Sequence, residues 1–85
     1  MMFLHVTSAT VGERYTLRVV FNDGVTKDVD LTGHLYGEVF EPLRDVALFR
    51  QVQVNPETNT VEWPNGADFA PEFLYEIGTE VKRVA

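Results

Sequence analysis

The sequence predicts an α+β domain: a mainly antiparallel sheet of about five strands with two short helices packed on one face. Three observations predict it. Two alternating apolar segments, residues 15–21 (YTLRVVF) and 25–31 (VTKDVDL), flank an Asn-Asp-Gly turn, so strands arrive as hairpins and not in β-α-β alternation. Two shorter alternating segments, residues 51–55 and 60–63, flank a second turn-rich loop. Two segments that open on proline, at Pro42 and Pro71, change to the helical period.

Taken in order, residues 3–7 (FLHVT) read as a first strand, and residues 8–13 (SATVGE) read as a loop from their small residues and glycine. The hairpin that follows has a register that can be worked out. A two-residue Asp23-Gly24 loop would set Val19 opposite Asp28 and Leu17 opposite Asp30, placing two carboxylates on the apolar face, where burial without a partner is costly. A three-residue loop, Asn22-Asp23-Gly24, instead sets Phe21 opposite Val25, Leu17 opposite Val29 and Tyr15 opposite Leu31, with Arg18 facing Asp28 on the other side. Such loops combine a tight turn with a left-handed residue, which suits Gly24, so the three-residue loop is expected.

Thr32 is placed to cap a short turn, while Gly33 and Gly37 weaken any long helix before Pro42. From Pro42 onward, Leu43, Val46, Ala47 and Phe49 make one apolar helical face. In the second pair of strands Val52, Val54, Val61 and Trp63 are expected to share a buried face. A last helix begins near Pro71, with Phe73, Leu74 and Ile77 as its inner stripe and Gly78 at its end. Residues 1–85 are expected to make one small domain, with the tail after about residue 78 unassigned.

The chain has no cysteine, so neither a disulfide framework nor a thiolate metal site is available to it. Six Phe, three Tyr and one Trp give bulk to a small core. No apolar run approaches the length of a membrane span, and the N-terminal residues lack the pattern of a secretory leader, so a cytoplasmic protein without membrane contact is expected. Seven basic residues stand against thirteen acidic ones, for a net charge of −6, and the basic ones are scattered. Direct nucleic-acid binding, which needs clustered lysine and arginine, is therefore not expected.

Catalytic parts are hard to find. Asp28, Asp30, Thr32 and Gly33 fit the opening of a calcium loop, but Val39 stands where the bidentate carboxylate belongs. His34 and Glu38 share a helical spacing, yet two ligands do not make a zinc site, and His5 reads as a surface or edge residue. Ser8 has no nucleophile-elbow setting, and Gly33 and Gly37 lack the spacing of a phosphate loop. No enzyme activity, no cofactor and no metal are expected.

The most specific stretch is residues 63–75, WPNGADFAPEFLY. Its first reading is a corner: Trp63 ends a strand, Pro64-Asn65-Gly66 reverses the chain, and Asp68 accepts backbone N–H groups near the helix start. Its second reading is a binding rim in which Asn65, Gly66, Asp68 and Tyr75 stand exposed beside Trp63, since aromatic and amide groups together often anchor protein contacts.

Residues 15–31, residues 39–54 (VFEPLRDVALFRQVQV) and residues 61–75 (VEWPNGADFAPEFLY) together resemble the bacterial family called domain of unknown function 2442. The resemblance spans roughly Val6 to Tyr75, and the Trp-Pro-Asn-Gly-x-Asp run is its most specific part. It implies a compact α+β domain with no established activity or catalytic residues to carry over. Some relatives look fused to a C-terminal helix-turn-helix, and short ones are often paired with another small protein in an arrangement proposed to be toxin–antitoxin-like. Together with the acidic charge, this leads to the expectation of a non-catalytic interaction or regulatory module that binds a protein partner, such as a small basic protein. The alternative is a small-molecule sensing domain with a pocket near Trp63. Homo-oligomerisation is left open.

Overall fold

A computed structural model describes residues 3–82 and has an α+β architecture built from two antiparallel sheets. The element order is β1 (Val6–Val11), β2 (Thr16–Phe21), β3 (Thr26–Asp30), a 3-10 turn (Thr32–His34), a second 3-10 turn (Glu41–Arg44), α1 (Val46–Phe49), β4 (Gln53–Asn55), β5 (Thr60–Glu62), α2 (Pro71–Ile77) and β6 (Thr79–Glu80). The larger sheet has the order β1-β2-β3-β6, and β4 pairs with β5 in a separate two-stranded sheet.

The β2–β3 hairpin has the expected three-residue register. Leu17 lies opposite Val29, Arg18 opposite Asp28 and Thr16 opposite Asp30. Backbone bonds extend the pairing at both ends, from Phe21 N–H to the Val25 carbonyl and from Leu31 N–H to the Tyr15 carbonyl, each at 2.9 Å. One face is thereby apolar, and Leu17, Val19, Phe21, Val29 and Leu31 are all buried. Gly24 closes the loop at φ +87°, with its N–H on the Phe21 carbonyl. A side chain placed there meets nothing within 4 Å, so any penalty is conformational and not steric crowding. Gly24→Val is expected to destabilise the fold by about 1–3 kcal/mol, because a β-branched residue resists positive φ. Gly24→Asn, which tolerates that region, should restore most of the loss in chemical unfolding. Equal stability of the valine variant and the parent would contradict this account.

Residues 8–11, expected in a loop, belong to β1. Ser8 pairs with Val20, Ala9 with Val19 and Val11 with Leu17, while Val6 pairs with Phe21 across a register shift. The shift is a bulge at Thr7, whose hydroxyl donates to the Val20 carbonyl. An extra residue breaks the two-residue alternation, so the inward positions become Val6, Ala9 and Val11, a spacing that does not read as a strand.

The helix expected from Pro42 is divided. Asp45 adopts an extended conformation (φ −73°, ψ 112°) between the 3-10 turn and α1, and its side chain accepts the Ala47 N–H at 3.0 Å. The break turns Val46 and Ala47 outward while Leu43 and Phe49 remain buried. In the smaller sheet Val54 pairs with Val61. Val61 and Trp63 are fully buried, and Val52 and Val54 only half so.

Helix α2 lies against β3 and sets Leu74 in the core, with Phe73 and Ile77 half-buried. Gly78 ends it with ordinary backbone angles (φ −74°, ψ 155°), not a left-handed cap. The chain then forms β6, in which Thr79 pairs with Asp28 and Glu80 with Lys27. The end of the tail, residues 83–85, lies outside the described residues.

Candidate functional site

Trp63 leaves β5 pointing into the core. It is 1% exposed, its indole N–H donates to the Phe49 carbonyl at 2.8 Å, and its ring packs on Phe49 and Phe69 at centroid distances of 5.6 and 5.8 Å. The chain reverses at once. Trp63 N–H reaches the Ala67 carbonyl, Gly66 N–H reaches the Trp63 carbonyl, each at 2.9 Å, and Gly66 has φ +89°. Beyond the reversal Asp68 forms an isolated bridge with Glu62. It does not cap α2: the N-cap is Ala70, without a side-chain cap bond, and Pro71 fills the first helical position. Proline with its fixed φ starts the helix here, so the cap energy expected of Asp68 is absent.

Asn65 is exposed but engaged at both ends of its amide. The side-chain oxygen accepts the Ala67 N–H at 3.2 Å, and Nδ2 donates to the Val39 carbonyl at 2.9 Å. It therefore ties the corner to a segment distant in sequence. Asn65→Asp removes that donor and sets a carboxylate against a carbonyl oxygen, so it alters the structure and not only a surface.

Tyr75 belongs to a different neighbourhood. Its ring meets Phe21 edge-on at 4.9 Å, its hydroxyl donates to Asp23 at 2.9 Å, and the Lys27 ammonium lies 3.8 Å over the ring while donating to the Tyr75 carbonyl. The hydrogen bond to Asp23 raises the phenol above its ordinary pKa, with desolvation and the carboxylate charges of Asp23 and Glu80 adding to it. The rim expected from sequence thus divides. Asn65, Gly66 and Asp68 surround the corner above Trp63, whereas Tyr75 joins α2 to the β2–β3 loop.

A surface not anticipated from the sequence adjoins the corner. Leu35 and Leu43 are buried and Phe40 stacks on Phe69 at 4.6 Å, anchoring residues 35–46 to the core. Between these anchors Tyr36 and Val39 are 66% and 47% exposed, and just beyond them Val46 is 42% exposed. The backbone around them is closed on itself. Glu41 N–H bonds the Gly37 carbonyl at 2.8 Å, Leu43 N–H bonds the Phe40 carbonyl at 3.0 Å, and Arg44 Nε bonds the Leu35 carbonyl at 2.8 Å. The Tyr15 hydroxyl donates to the Arg44 carbonyl. One signal was available: apolar residues at 35, 36, 39, 40, 43 and 46 are more than one inward face can hold.

On the outer face of the larger sheet, Arg18 and Asp28 form a two-pronged ion pair at 2.8 and 3.0 Å. The hydrogen bond from Arg18 holds the Asp28 carboxyl below its usual pKa. Asp30 is lowered as well, chiefly by the Thr32 hydroxyl and then the Thr32 N–H, so it closes a local turn. Among the described residues no three His, Asp or Glu side chains gather as a metal-binding group. No helix among them is long and apolar enough to cross a membrane. A shallow cleft of about 400 Å³ lies along β4 and β5, bordered by Gln53, Asn55, Glu62 and Pro64, and touches Trp63 only at its edge.

A family model described as "Protein of unknown function (DUF2442)" matches residues 6–80, and the chain belongs to that family. No curated protein and no solved structure matches the chain.

Proposed function

We propose that this member of DUF2442 is a non-catalytic cytoplasmic module that binds a protein partner, in a regulatory pairing of the antitoxin kind. One observation carries the reading. Of the four exposed large hydrophobic side chains among the described residues, three (Tyr36, Val39 and Val46) fall within residues 36–46, on backbone closed by its own hydrogen bonds. Single exposed apolar residues are normal on a protein surface, but a concentration of them marks a contact face. A closed backbone also lowers the ordering cost of binding. Asn65 borders this face through its bond to the Val39 carbonyl.

The small-molecule reading has less support, because Phe49 and Phe69 pack on the Trp63 ring, its indole N–H is already bonded, and the cleft along β4 and β5 meets a tryptophan that is 1% exposed. Co-purification from cells expressing the tagged chain at native level separates the two. A stoichiometric protein that is retained by the parent and lost with Tyr36→Ser/Val39→Ser, at unchanged melting temperature, is the expected result. A ligand-dependent rise in melting temperature with no protein retained would replace this reading by the sensing one.

A further inference from the structure

Resting on that reading, we infer that residues 36–46 receive a basic, apolar-bearing segment of the partner, whose aliphatic side chains cover Tyr36 and Val39 while its lysines or arginines face Glu38, Glu41 and Asp45. The three carboxylates interleave with the exposed apolar residues and are themselves exposed. Asp45 is held in place by accepting the Ala47 N–H, so its charge is fixed at the start of α1. The one basic residue of the segment, Arg44, is also exposed, but its Nε is bonded to the Leu35 carbonyl and it offsets only one of the three carboxylates.

Charge also excludes other occupants. A chain of net charge −6 presenting this acidic face repels phosphate backbones and anionic lipid surfaces. A second copy docked by the same face about a two-fold axis would bring the Glu38, Glu41 and Asp45 carboxylates of one copy to the same acidic face of the other, and like charges in a contact are disfavoured. A basic segment meets neither obstacle. The closed backbone of residues 35–44, together with the Asn65–Val39 bond, holds the face in one shape before binding.

The test is an NMR titration of the labelled chain with three short synthetic peptides: one built of leucine and lysine, the same peptide with glutamate for lysine, and the same with serine for leucine. The leucine–lysine peptide should shift the amides of residues 36–46 and of Asn65, more weakly as salt is raised, and the other two should not. Glu38→Lys/Glu41→Lys should weaken that binding by about tenfold or more, and Tyr36→Ser/Val39→Ser should remove it. Shifts centred elsewhere, or equal binding by the charge-reversed variant, would overturn the inference. So would silence towards the leucine–lysine peptide, even where a natural partner is captured through Tyr36 and Val39; in that case the proposed function stands and only this partner chemistry fails.

Discussion

Trp63→Ala is expected to cost about 3–5 kcal/mol, the range for truncating a large aromatic side chain in a core. Three physical losses combine. The ring is 1% exposed, so nearly all of its area returns to water or leaves a void. Its contacts with Phe49 and Phe69 vanish, and these two rings connect α1 to the segment leading into α2. The Phe49 carbonyl also loses the indole N–H, a bond that stays buried. For a domain of this size such a loss lowers the melting temperature by more than about 12 °C. Trp63→Phe separates the contributions: it keeps most of the bulk but leaves the carbonyl unpaired, at about 1–3 kcal/mol. A melting temperature unchanged in Trp63→Ala would mean that the corner is not part of the core.

The second large effect is expected at Gly78. A Cβ added there would lie 2.9 Å from the Leu74 carbonyl oxygen and 2.9 Å from Lys27 Cβ, closer than such atoms pack. The backbone carbonyl is part of α2 and cannot yield. The Lys27 Cβ is fixed by the β3 backbone, where Lys27 pairs with Val19, and the outer side chain is held because its ammonium bonds the Tyr75 carbonyl and sits over the Tyr75 ring. Gly78→Ala should therefore force α2 away from β3, and Gly78→Val more so, at about 3 kcal/mol for the larger side chain. Removing the Lys27 Cβ takes away one of the two obstacles, so Lys27→Gly should relieve part of the penalty in a double-mutant cycle, more than Lys27→Ala, which keeps that Cβ. Additive effects of the two changes would show that the approach of α2 to β3 is looser than the structure has it.

Much of the fold was legible because its determinants are local. The β2–β3 register follows from a choice between two loop lengths, one of which would bury Asp28 and Asp30, and the structure has the other. The start of α2 at Pro71 is likewise written in backbone chemistry. The candidate site was legible only in part. Trp63, Pro64, Asn65 and Gly66 make the reversal that their turn chemistry implies, but Tyr75, twelve positions further than Trp63 in the numbering, faces Asp23 and Lys27.

What the sequence by itself determined is the α+β class, the β2–β3 hairpin register, the corner at Trp63 and the family, since each depends on neighbouring residues or on one run of them. Tertiary structure alone decided the remainder. The bulge at Thr7 that makes residues 8–11 a strand depends on pairing with β2, and the break at Asp45 depends on Leu43 and Phe49 both reaching the core. The glycine at 78 depends on Lys27, and the exposed face at Tyr36, Val39 and Val46 depends on Leu35, Phe40 and Leu43 taking the inward positions first. Periodicity along a chain reports how apolar a face is. Which of several apolar residues is buried is settled by competition for a core of limited volume, and that competition is between segments far apart in sequence.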